Sequence, residues 1–348
     1  MSLDTHAGGV RQAGGLESGA PCLVVGGGLV GSHVAVALAS AGHPVTVYSR
    51  SFSPWLLEQL PRLPQIHLVS GQLPANEALV AHIDAAAVVF LLAGFSTPAL
   101  SEGDATTSIV GSLVPALSVL DAMRRTTTRR VLMASSGGTV YGKVQILPTP
   151  EIHVRQPISV HGVNAVVLEE YAMFFAREHG LEPTVLRFSN VYGPGQYVRG
   201  EQGVVAAWCR AIARGEPITL IGDGEARRDF VFARDAADAA LACARSPWRG
   251  TYNVGSGAAT ALSDIIELLG TICRRDFEIE HLPPRRVDVP VTMLDTAELT
   301  TATAWRASTP LLRGLSLTWK WFDEHSNEDA SGGAVPAQAA QASVQLSE

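Results

Sequence analysis

The chain has 348 residues, 47% of them hydrophobic and 17% charged, which is enough to bury a sizeable core and too apolar for a disordered or fibrous protein. Its net charge is −7, and its one dense basic stretch, Arg124, Arg125, Arg129 and Arg130 around three threonines, reads as a solvated helix end. A nucleic-acid groove or a polybasic membrane surface is therefore not expected.

Residues 1–19 are polar and glycine-rich, without the basic start and apolar stretch of a signal peptide, and read as a disordered tail. From residue 20, short apolar runs of strand type alternate with helical patterns. The order is CLVV, then 29–41; PVTVY, then 54–60; IHLV; AVVFLLA, then 105–126; RVLMASS, then 161–179; and PTVLRF. This alternation predicts an α/β fold, a doubly wound parallel sheet of Rossmann type covered on both faces, over residues 20–188. After residue 189 the pattern is irregular, with turn signals at GPG, GDG and GSG. Residues 189–225 and 251–325 are expected to build a smaller C-terminal substrate-binding lobe, with 226–250 returning to the sheet and 326–348 a second disordered tail. Residues 20–42 hold no Asp, Glu, Lys or Arg and a single histidine, His33, but five glycines in the stretch argue against a membrane helix. Cys22, Cys209, Cys243 and Cys273 lie far apart, without CxxC or metal-ligand spacing, and read as reduced core residues of a cytoplasmic protein with no metal site.

CLVVGGGLVGSH places Gly26, Gly28 and Gly31 in G-x-G-x-x-G spacing directly after a strand and at a helix start. The three glycines serve a tight turn, close approach of backbone to a pyrophosphate, and close helix–strand packing, while the helix N-terminus offers N–H groups to phosphate. An NAD or NADP cofactor is predicted. The second strand ends in Ser49 and Arg50, where an NAD protein usually carries an acid for the ribose 2′-hydroxyl; a guanidinium there suits a 2′-phosphate and favours NADP.

GGGLVGSH, VVFLLAG, SSGGTVYG, LRFSNVYGPGQ, GDGEARRDFVFARDAADA, TYNVGSG and AWRASTPLLRGL, in this order, resemble the extended short-chain dehydrogenase/reductase family. The likeness runs from about residue 20 to 322 and is to its UDP-glucose 4-epimerase-like nucleotide-sugar epimerases and dehydratases. The resemblance implies an NAD(P)-dependent enzyme whose second lobe grips a nucleoside diphosphate through Asn190, Arg228 and Arg285, the last beside Asp288. It also implies a homodimer through the helices at 105–125 and 161–179.

The family's chemistry uses a tyrosine base and a lysine four residues later; here His161 and Ala165 stand in those places. Lysine occurs only at Lys143 and Lys320, and four residues before them are Thr139 and Ser316, so no YxxxK exists in the chain. The family's serine or threonine is Gly137 here, flanked by Ser136 and Thr139, and the asparagine that supports the lysine is Ser112. Three readings remain open. His161, with an imidazole pKa near 6.5, can replace the tyrosine as acid–base with Ser136 or Thr139 as its hydroxyl partner. Alternatively, the chain is a catalytically inactive cofactor- and nucleotide-sugar-binding protein, a sensor or the partner of an active homologue in a heterodimer. A scaffold using neither ligand leaves the three glycines without a purpose.

Overall fold

The computed structural model describes residues 5–6, 9–11, 14–93, 104–196, 203–285, 288–326 and 335–336. Six strands with their helices alternate first: β1 (Cys22–Val25), α1 (Leu29–Ser40), β2 (Val45–Ser49), α2 (Pro54–Gln59), β3 (Ile66–Ser70), α3 (Glu77–Asp84), β4 (Val88–Leu91), α4 (Ala105–Met123), β5 (Arg130–Ser136), α5 (Val160–His179) and β6 (Glu182–Phe188). Later in the chain come α6 (Ala233–Arg245) and β7 (Trp248–Val254). The seven strands are all parallel, in the order β3-β2-β1-β4-β5-β6-β7, with the reversal of strand order between β1 and β4.

Alternation along the strands divides the core. Val24, Phe90 and Leu132 meet Val34 and Leu38 of α1 and Ala240 of α6 on one face, while Leu23, Val89 and Met133 meet Leu120 of α4 and Leu168 of α5 on the other. Helix α5 begins at Ser159, whose hydroxyl accepts the Gly162 N–H at 3.2 Å, and ends at Gly180 in the left-handed region, φ 66°. Helix α4, with a π-helical stretch at Ile109–Leu113, is long and apolar enough to cross a membrane by length and composition. Here Ala116, Val119, Leu120 and Met123 are sheet-facing core, with Ile109, Val110 and Val114 exposed.

The second lobe has its own core of Trp208, Phe230, Phe232, Leu269 and Trp319 under a small sheet of Asn190–Tyr192, Arg227–Phe232 and Ala259–Ala261. The expected return of 226–250 is thus shifted. Arg227–Phe232 pairs within the lobe, and it is 233–254 that rejoins the main sheet, because Thr251–Val254 pair with Val185–Phe188 of β6. Helix α3 is absent from the alternation read off the sequence. It is a single amphipathic turn pair, capped where the Asn76 side chain accepts the Leu79 N–H. The tails, expected to be disordered, contribute structure where they are described. Gly9–Arg11 adds an antiparallel edge to β7, the Leu16 N–H donates to Ala244 O at 2.7 Å, and Val335–Pro336 pairs with Ser51–Phe52. Unpaired edges of a sheet attract any chain that can supply the missing hydrogen bonds. All four cysteines are free and buried.

Candidate functional site

The glycine turn lies where the strand order reverses, the place at which open α/β sheets bind ligands. Gly26 has φ 116°, and a Cβ on it would fall 2.9 Å from the backbone of Leu92 and Ala93. A Cβ at Gly31 would sit 1.9 Å from Gly26 O, so α1 presses directly on the turn. At Gly28 the same construction meets nothing within 4 Å. Two glycines are therefore required by packing, and the third opens the start of α1 to a ligand. That division fits a dinucleotide pyrophosphate. Ser49 is half-buried at the end of β2, and Arg50 beside it is exposed.

Along the rim, the Ser136 carbonyl accepts N–H groups from Thr139 and Val140 at 3.1 and 3.0 Å, a tight turn that lifts Thr139 beyond the strand end. Among the described residues the Thr139 Oγ1 is a buried hydroxyl without a hydrogen-bond partner. Buried polar atoms left this way are rare and costly. His161 occupies the first turn of α5 and is 8% exposed. The next residue, Gly162, packs so closely on this turn that a Cβ there would lie 2.8 Å from Thr139 O. The first turn of α5, which carries His161, thus packs on the backbone of the Ser136–Thr139 turn. The positions of the missing side chains are apolar: Ala165 is buried with Val140, Tyr141 and Leu294, and Leu294 stands over Gly137. Ser112 hydroxyl donates to Ser108 O, and Asn164 of α5 reaches Ser108 Oγ at 3.0 Å, joining α4 to α5.

Behind the rim runs a buried polar network. Arg187 of β6 donates two bonds to Glu169 of α5, at 3.0 and 2.7 Å, and a third to Tyr141 OH at 2.9 Å. The Tyr141 hydroxyl donates to Asn253 at 2.7 Å, and Ser135 and Arg155 also bond Glu169. Burial raises the Tyr141 pKa to about 12 despite Arg187, so this tyrosine is a fixed donor and no substitute for the missing base. Glu169 was legible in principle: it shares the inner helix face with Ala165, Leu168 and Ala172, an odd place for a lone charge. Leu294 carries no such signal, because its contact with Gly137 joins residues far apart in the sequence.

In the second lobe, Asn190 donates to Asp229 O at 3.2 Å. Arg228 donates to Arg227 O at 2.9 Å, and its pKa is lowered by burial and by nearby Arg285, against the pull of Asp288. Arg285 forms an exposed ion pair with Asp288, at 3.0 Å. Arg228 and Arg285 are thus near enough to feel each other's charge, and only Arg285 is paired with Asp288. Asp229 and Asp235 are committed elsewhere. Asp229 is fully buried and accepts from Ser256, Gly257 and Leu294, while Asp235 accepts from Ser308 and Thr309. Among the described residues no cluster of His, Cys, Asp and Glu is arranged to hold a metal.

Residues 22–255 match the model of the NAD dependent epimerase/dehydratase family. A UDP-glucose 4-epimerase of Mycolicibacterium smegmatis is 31% identical over 224 residues, 64% of this chain and 70% of that protein. The crystal structure of a Thermotoga maritima UDP-glucose 4-epimerase with UDP-glucose superposes with a TM-score of 0.80 at 32% identity, covering 87% of this chain and 99% of the other. A Thermus thermophilus UDP-glucose 4-epimerase in complex with NAD gives 0.78 at 28% identity, over 87% and 98%.

Proposed function

The chain belongs to the NAD dependent epimerase/dehydratase family, and from that premise we propose that it is an NAD(P)-dependent enzyme acting on a nucleotide sugar, by epimerisation or a related oxidation or reduction, with His161 in place of the usual tyrosine. Gly26, Gly28 and Gly31 hold the cofactor pyrophosphate, and Ser49 and Arg50 receive the adenosine ribose, the guanidinium favouring a 2′-phosphate and hence NADP. When bound, the nicotinamide supplies hydride exchange with a sugar carbon. Asn190, Arg228 and Arg285 hold the nucleoside diphosphate. His161 moves the proton at the reacting hydroxyl, and Thr139 or Ser136 orients that hydroxyl.

The observation that carries this reading is the buried hydroxyl of Thr139, without a partner among the described residues, on the residue whose backbone carbonyl packs against Gly162, next to His161. An imidazole needs no lysine to act as a base near neutral pH, whereas a phenol does. A second reading, a binding protein without turnover, is favoured by the apolar packing of Ala165 where the lysine would stand. The deciding experiment incubates the protein with NAD(H) or NADP(H) and UDP-, dTDP- and GDP-sugars, following absorbance at 340 nm and product isomers. Turnover that falls by about 10²–10⁴-fold in His161→Ala supports the first reading. Turnover that the substitution leaves untouched rejects the histidine, and ligand-dependent thermal shifts without any turnover establish the second.

The same proposal includes a homodimer through α4 and α5, whose outer faces expose Val110, Val114, Val163, Tyr171 and Phe174. An active homologue on that face would serve the second reading, and sedimentation of the purified chain distinguishes the two.

A further inference from the structure

Gly137, Ala165 and Leu294 form one packed unit across the boundary between sheet and second lobe. A Cβ added at Gly137 would lie 2.5 and 3.2 Å from the two methyl carbons of Leu294 and 2.9 Å from Arg187 O. Leu294 is 2% exposed and shares its small core with Val140, Tyr141 and the methyl of Ala165. Its backbone is fixed on both sides. The Leu294 N–H donates to Asp229 Oδ2 at 3.1 Å, the Thr149 N–H donates to Met293 O at 2.7 Å, and the Asp295 N–H donates to Thr149 O at 2.9 Å. The side chain is therefore delivered to Gly137 by a segment that cannot withdraw without breaking buried hydrogen bonds.

We propose that Leu294 determines which chemistry this pocket can host: reaching in from the second lobe, it fills the space of a hydroxyl side chain at 137 and an ammonium side chain at 165 and excludes both. Protein interiors are close-packed, so truncation at 137 and 165 without a filler would leave a void, and a filler without those truncations would overpack. An ammonium at 165 would also enter a cluster of methyl groups and a tyrosine ring with its charge unpaired. The relay is thus replaced as a unit. Proton handling falls to the Thr139 and His161 side of the rim. This last step rests on the function proposed above; the packing itself does not.

The test has two arms. In the first, thermal unfolding without ligand compares wild type, G137S, L294A and the double variant. G137S is expected to lower Tm by about 5 °C or more, through overpacking, and adding L294A to recover part of that loss. Strictly additive shifts overturn the proposal. In the second, G137S/H161Y/A165K and the same variant with L294A are assayed at 340 nm with NAD and UDP-glucose across about pH 6–10. Reduction of nicotinamide, with a pH profile displaced from that of the wild type, is expected only when Leu294 is removed. Equal turnover with Leu294 retained overturns the proposal, as does silence of both variants when each still shows a thermal shift with UDP-glucose. Absence of that shift in the wild type overturns the proposed function instead, and the first arm then decides the packing claim alone.

Discussion

The imidazole of His33 lies flat against the indole of Trp55, ring centroids 3.8 Å apart and planes 10° apart, while its Nε2–H donates to Pro194 O at 3.0 Å. This stack ties α1, which carries the glycine turn, to α2 and to the Gly193–Gly195 turn leading into the second lobe. Burial holds the ring neutral, its pKa lowered from 6.5 to about 4. The unfolded chain binds a proton in this interval that the folded chain refuses, so the contribution is complete above pH 6.5 and is lost as pH falls toward 4. Urea unfolding is expected to show a loss of up to about 3 kcal/mol across that window. His33→Gln, which keeps an N–H donor for Pro194 O, should flatten the dependence; an unchanged slope in the variant counts against the assignment.

Glu151 works in the opposite direction. Burial raises its carboxyl pKa to about 7, with Glu298 and Asp295 adding to the rise and the Asn253 N–H, at 2.8 Å, opposing it. A group whose folded pKa is raised contributes stability that is complete below its unfolded value of 4.5 and fades as pH climbs through 7. Glu151→Gln should therefore gain on the wild type as pH rises across this range, in the same titration where His33→Gln gains as pH falls.

Glu169 and Arg187 are 3% and 5% exposed in their side chains, and each is the other's principal compensation. Glu169→Ala leaves a guanidinium buried with much of its partner charge gone, and the expected cost is about 3–5 kcal/mol by chemical denaturation. Glu169→Leu combined with Arg187→Met should lose less than either single substitution. A double variant as damaged as the sum of the singles would show that the pair is not a unit.

Two glycines of one turn should respond differently to a methyl group. Gly31→Ala places its Cβ against Gly26 O and is expected to lower Tm and cofactor affinity together. Gly28→Ala meets open space, so Tm should hold within a few degrees while NADH and NADPH titrations, followed by fluorescence, weaken by about tenfold or more as the methyl obstructs the pyrophosphate. Equal loss of fold in both variants would remove the reason to assign Gly28 to the ligand.

Arg50→Ala should reduce NADPH affinity and leave NADH affinity nearly unchanged, since only the first carries a 2′-phosphate for the guanidinium. Equal effects on both cofactors would return Arg50 to adenine stacking or solvent.

Much of this molecule is local information. The strand–turn–helix around Gly26, the apolar strands Cys22–Val25 and Val88–Leu91, and the Ser159 and Gly180 boundaries of α5 are set by residues within a few positions of one another, so periodicity, capping and turn chemistry reveal them. The boundary of the second lobe was less legible. Arg227–Phe232 and Trp248–Val254 are similar runs, and only their neighbours send one to the lobe and the other to the main sheet.

By itself the sequence determined the fold class, the glycine turn and the absence of any tyrosine–lysine dyad, because the first two rest on short-range pattern and the third on a count of two lysines. What fills the place of that dyad was decided only in three dimensions. Leu294 lies more than a hundred residues from Gly137 and Ala165, and no spacing rule relates them; it reaches them because Asp229 and Thr149 hold its backbone at the lobe boundary. Close packing demands that a vacated volume be filled, but it leaves the filler's address in the chain to the tertiary fold.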